Sequence, residues 1–163
     1  MSKRVADCLN GLPDDAARAA LAKCCGARRW VEQMLLARPF AHDAALFEAA
    51  ERGWWALGRE DWLEAFRKHP RIGERTAEQW SRREQAGMDT AAAATRAALA
   101  RGNLAYSERF GYLFLICATG KTAGEMLGEL QRRLANDPAT ELRIAAGEQM
   151  KITRLRLEKL VVP

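Results

Sequence analysis

The sequence predicts an all-α fold, a single-domain helical bundle of about eight to nine helices spanning residues 1–163. Three observations carry that prediction. Alanine, leucine, glutamate and arginine dominate the chain, and all are good helix formers. Valine-rich segments of alternating polarity, which would mark strands, are absent. Proline and glycine fall between periodic segments, so the connections are short, with no internal repeat, linker or low-complexity stretch.

The elements follow in order. Pro13, after Asn10-Gly11, suits the start of a helix, and Asp14 and Asp15 in its first turn complement the helix dipole. Gly26 ends it. A second helix runs from about Arg28 to Ala37 and stops at Arg38-Pro39, because a residue before proline is pushed toward extended geometry. A third covers roughly His42 to Trp54, and a fourth Arg59 to Lys68. Thr76 to Met88 is next, then Thr90 to Gly102 continuing toward Phe110. Phe110-Gly111 breaks the pattern before an apolar segment, and Thr122 to Ala135 is helical again. Asn136-Asp137-Pro138 opens the last helix, Pro138 to Leu160. The tryptophans Trp30, Trp54, Trp55, Trp62 and Trp80 lie on or beside apolar stripes, which marks them as core or cleft wall.

With 48% hydrophobic and 29% charged residues, the composition is that of a globular domain large enough to bury a core. The longest apolar run, Tyr112–Ala118, is far too short to span a bilayer, so no membrane partner is expected. The N-terminus has a basic start without the apolar core of a signal peptide, and the C-terminal LVVP carries no address signal, so a cytoplasmic protein is expected. Cys8, Cys24, Cys25 and Cys117 show neither C-x-x-C nor metal-ligand spacing, and are expected to be reduced thiols with no metal. A net charge of +5 permits an anionic partner. A small basic helical nucleic-acid-binding module is thus an alternative, resting on Gln131-Arg-Arg133 and Lys151–Arg156.

Three polar features stand out. In AFRKHPRIGE, a helix through Trp62, Leu63, Ala65 and Phe66 must break near Pro70, which carries His69 just past a rigid helix end. An imidazole so mounted suits a general acid or base, although an ordinary loop histidine fits the same place. In W80-S-R-R-E-Q-A-G-M88, Ser81, Glu84, Gln85 and Met88 share one helix face, while Arg82 and Arg83 point elsewhere. A hydroxyl, a carboxylate and a carboxamide on one stripe suit a ligand rich in amide and urea groups. The competing reading is a capping box from Ser81 to Glu84, but Thr76-Ala-Glu-Gln79 has the same form and is better placed. In the last helix, Arg156 is aligned with Ile152 and Leu160, so it is either paired internally or serves an anionic ligand, while Arg154 points away.

Together, F-x-x-H-P-R-I-G-E, S-x-x-E-Q-x-G-M, F-G-Y-L-F-L-I-C-A and I-T-R-L-R-L resemble the 2-oxo-4-hydroxy-4-carboxy-5-ureidoimidazoline (OHCU) decarboxylase family. The likeness extends upstream to L9-N, R-W30-V and R38-P-F, and so covers nearly the whole chain in order. It implies an all-helical enzyme of urate degradation that forms (S)-allantoin from a small ureidoimidazoline, generally homodimeric, with no metal or organic cofactor and no nucleic-acid partner. It implies His69 and Glu84 as catalytic residues, with Pro70, Ser81, Gln85, the segment Phe114, Leu115, Ile116, Cys117 and Ala118, and Arg156 in contact with substrate. The chain departs from the family at Arg71-Ile72-Gly73-Glu74, where many members have Asp-Leu-Ala-Gly, and at Tyr112-Leu113, where Phe-Pro is common.

Overall fold

The computed structural model describes residues 4–70 and 93–161. Loops join the α-helices, the one 3-10 turn directly continues the last of them, and no strand occurs among the described residues. The helices are α1 (Val5–Asn10), α2 (Asp14–Cys24), α3 (Arg28–Ala37), α4 (Asp43–Trp55) and α5 (Arg59–Arg67). There follow α6 (Ala93–Phe110), α7 (Ala123–Arg133) and α8 (Pro138–Glu158), then the 3-10 turn Lys159–Val161. The helix expected over Thr76–Met88 lies outside the described residues, and Trp80 with it.

Contacts divide the chain into two compact units, Met1–Ala65 with Met150–Pro163, and Phe66–Gln149. In the first, α2 packs on α3, α3 on α4, and α1 on both α4 and the 3-10 turn. Its interior holds Leu9, Leu21, Trp30, Met34, Leu46 and Trp54, each at most 1% exposed. Full burial of one such side chain is worth roughly 1.5–3 kcal/mol. Buried indole N–H groups need acceptors, and they have them. Trp30 donates to the Ala50 carbonyl and Trp62 to that of Trp54, both at 3.1 Å. Trp55 departs from the sequence reading: at 37% exposed it sits at the surface, edge-on to Trp62.

Helix α1 is absent from the sequence reading because it is too short to be stable alone. Only Val5, Ala6 and Leu9 are buried on it, and tertiary bonds hold its ends. The Ala6 N–H donates to Asp43 (2.9 Å), and Arg38 Nη1 donates to the carbonyls of Leu9 and Leu12 (2.7 Å each). Asn10 and Phe40 bond reciprocally, side chain to backbone, at 2.8 Å in both directions. The L9-N and R38-P-F motifs therefore lock the N-terminal helices together. His42, the second histidine, caps α4 by accepting the Ala45 N–H at 3.0 Å.

In the second unit α6 packs on α7 around Leu99, Tyr106, Met126 and Leu130. Gly102 permits the approach, since a Cβ there would collide with the buried Leu130. Gly111 ends α6 with φ +84, the left-handed conformation that glycine adopts without strain, and its N–H reaches Ser107 O (2.9 Å). A capping box between Thr122 and Glu125 starts α7. Asp137 starts α8 by accepting the Thr140 N–H at 3.0 Å.

Candidate active site

His69 lies where the break at Pro70 was expected to put it. Helix α5 ends at Arg67, and the His69 N–H still reaches back to Phe66 O at 3.1 Å, in a closing turn. The half-buried imidazole places Nε2 2.7 Å from Oε1 of Gln149, which α8 presents with its side chain fully buried. With the carboxamide oxygen accepting, Nε2 carries the proton, so the lone pair of the neutral ring is at Nδ1.

The segment after Gly111 is not helical, and Phe114, Leu115, Ile116 and Ala118 are buried in it, with Cys117 half-buried. Two of its backbone groups are engaged from within the protein. The Cys117 N–H donates to Glu148 Oε1 at 3.0 Å, and the Leu115 carbonyl accepts from Arg133 Nη1 at 2.7 Å. A single N–H donates once, so any ligand of this segment must use its other backbone groups.

Arg133 belongs to a buried polar network that the sequence reading missed. Its Nε and Nη2 donate to Glu141 Oε2 at 2.8 and 2.6 Å, and Tyr106 donates its hydroxyl to the same oxygen. Asn136 donates to Glu141 Oε1 at 3.0 Å. Burial, together with the bond to Glu141, pushes the Tyr106 phenol far above its usual range. Burial opposes the charge on Arg133, yet its bonds and attraction to Glu141 raise its pKa overall. The guanidinium also lies over the Phe114 ring, 4.7 Å from its centroid. Arg133 is therefore no part of a basic surface, whereas its neighbour Arg132 is exposed and paired with Glu129 at 2.7 Å. The available signal for Arg133 was its spacing of eight residues from Glu141, unread because Asn136-Asp137-Pro138 interrupts it.

Arg156 belongs to the first unit, where Nη1 donates to Lys23 O at the C-terminal end of α2, at 3.3 Å. Its positive charge acts on Cys24 and Cys25, but burial dominates both thiols and pushes each up to about 12. All four cysteines are free thiols. Arg154 is exposed, paired with Glu158 at 3.3 Å and lying over Phe47 at 4.3 Å. Of the residues expected at the site, His69, Pro70 and Phe114 to Ala118 fall in one unit and Arg156 in the other. Ser81, Glu84 and Gln85 lie outside the described residues, as does the Arg71–Glu74 variant loop. No cluster of three or more metal-ligating side chains occurs among the described residues. No helix among them is long and apolar enough to cross a membrane.

These features define an all-helical protein in which an imidazole and a non-helical backbone segment are both tied to adjacent residues of one helix. Comparison with known proteins then gives the family. The sequence model described as OHCU decarboxylase matches residues 10–158, and the chain belongs to that family. It is 41% identical over 145 residues to the uric acid degradation bifunctional protein TTL of Arabidopsis thaliana, covering 84% of this chain but 45% of that protein. The 2-oxo-4-hydroxy-4-carboxy-5-ureidoimidazoline decarboxylase of Haloferax volcanii is 31% identical over 153 residues, 91% of each chain. A crystal structure of an OHCU decarboxylase in the presence of (S)-allantoin superposes with TM-score 0.80 at 36% identity, covering 93% of this chain and all of that one.

Proposed function

We propose that this protein converts 2-oxo-4-hydroxy-4-carboxy-5-ureidoimidazoline to (S)-allantoin and carbon dioxide. The observation that carries the reading is the family match through residues 10–158, a range that includes the His69-Pro70 element. The same continuous match supports reading residues 1–163 as one domain.

In this substrate one ring carbon bears a hydroxyl and a carboxylate, and its neighbour bears the ureido group and a C=N bond. When the bond to the carboxylate breaks, its electron pair forms a double bond between the two ring carbons, and the C=N pair moves onto nitrogen, which takes up a proton. The substrate contains its own electron sink, so the reaction as drawn needs no electron-accepting cofactor. Loss of the hydroxyl proton then creates the carbonyl, and protonation of one face of the ureido-bearing carbon completes allantoin.

His69 serves as general acid/base near the carboxylate and hydroxyl. Glu84 binds N–H donors of the ring or ureido group, and Ser81 and Gln85 complete the polar recognition. Arg156 binds an anionic or carbonyl oxygen. Backbone groups of Leu115 to Ala118 not engaged by Arg133 or Glu148 bind the ureido arm, against an apolar wall. The family resemblance supports a homodimer acting in the cytoplasm, and light scattering tests the dimer.

The activity test generates the unstable substrate in situ from urate with urate oxidase and hydroxyisourate hydrolase. Circular dichroism follows the appearance of optically active allantoin. The wild-type protein accelerates it, and His69→Asn lowers the rate by about 10²–10⁴-fold, the usual contribution of a general acid/base, without unfolding. A His69→Asn protein within a few-fold of wild type rules out this role.

A further inference from the structure

We infer that Glu148 and Gln149, adjacent on α8, are positioning residues for the proposed reaction, Gln149 for the His69 imidazole and Glu148 for the Cys117 amide. The inference rests on the reading of His69 as acid/base and of the 114–118 segment as a substrate contact.

Successive helical residues project about 100° apart, so neighbours on one helix address different parts of the structure. Here one takes the histidine (2.7 Å) and the other the substrate-facing segment (3.0 Å). Both are buried, Gln149 at 0% and Glu148 at 8% exposed, which is uncommon for these residue types. A buried polar group holds its partner firmly, because no water can replace the bond if it breaks.

The choice of a carboxamide has chemical content. Gln149 Oε1 accepts from Nε2–H whether the ring is neutral or protonated, so it fixes the ring's orientation and directs proton exchange to Nδ1. It does so without the negative charge that would hold the ring as imidazolium. The charged member of the pair, Glu148, is turned to a backbone N–H instead.

The two roles separate in kinetics and in spectroscopy. Gln149→Met should lower kcat by at least about tenfold while leaving KM within about threefold, since only the acid/base is misplaced. Glu148→Ala should chiefly raise KM, by about fivefold or more, and Glu148→Gln, which keeps an acceptor, should restore it. The chain has only two histidines, so the imidazole resonances of His69 are assigned by their loss in His69→Asn. Gln149→Glu should raise the pH at which they titrate by about one unit or more, because a carboxylate beside the ring favours its charged form. If Gln149→Glu does not fold, Gln149→Met decides alone, read by kcat and by loss of a slowly exchanging Nε2–H resonance.

Unchanged kcat in Gln149→Met, or an unmoved His69 titration in folded Gln149→Glu, overturns the Gln149 role. Parallel loss of kcat and KM in Glu148→Ala without rescue by Glu148→Gln overturns the Glu148 role. An active His69→Asn protein instead defeats the acid/base reading, a failure distinct from either.

Discussion

Arg133 and Glu141 form a buried ion pair in which two guanidinium nitrogens share one carboxylate oxygen, their side chains 5% and 0% exposed. Since the same guanidinium holds the Leu115 carbonyl, the pair ties α7 and α8 to the segment proposed to contact substrate.

Removing one partner of such a pair strands the other charge in a dry interior, which costs about 3–5 kcal/mol. Arg133→Met should therefore lower the unfolding free energy by that amount in urea denaturation. The double variant Arg133→Met/Glu141→Leu should lose less than the two single losses added together, because neither charge is then left alone. A single-variant cost under about 1 kcal/mol would mean that water reaches the pair.

Arg156 and Arg154 differ in what they touch. Arg154 is exposed, with a surface ion pair, so Arg154→Ala should stay within about 0.5 kcal/mol in stability and near wild type in activity. Arg156→Ala should reduce allantoin formation at least about tenfold, the effect of losing one charge-assisted contact in the transition state. If it lowers only the thermal midpoint, Arg156 serves as a cap on the Lys23 carbonyl. Equal kinetic losses in both variants would defeat the assignment.

Cys24 and Cys25 should resist alkylation in the native protein at pH 8 and react only on unfolding. Burial pushes each from the ordinary thiol value of 9.0 up to about 12, so the unfolded chain loses these protons first. Fewer protons on the unfolded state mean that stability falls as pH rises. The loss runs from about pH 9 to about pH 12, at roughly 1.4 kcal/mol per pH unit for each thiol. Urea midpoints at pH 8 and pH 10 measure it, and the double variant Cys24→Ala/Cys25→Ala should flatten the decline. An equally steep decline in that variant places its origin elsewhere.

Local chemistry explains which elements were legible. Breaks at Pro39, Pro70, Gly111 and Pro138 are backbone effects that act wherever those residues stand, and the helices begin and end within a few residues of them. His69 was legible for the same reason, because the break beside it is local. The face expected to carry Ser81, Glu84 and Gln85 lies outside the described residues, and the roles proposed for those residues rest on the family resemblance.

The sequence by itself determined the helical class, the main helix boundaries and the His69-Pro70 element, because propensity and steric exclusion act over a few residues. Tertiary structure alone decided α1, which exists through Arg38, Asn10 and Asp43, and the exposure of Trp55. It also decided that Arg133 faces inward to Glu141 and that Gln149 meets a histidine eighty positions away. A buried polar side chain reads in sequence like a solvated one. Only packing, by excluding water and leaving one partner within reach, converts it into a fixed contact.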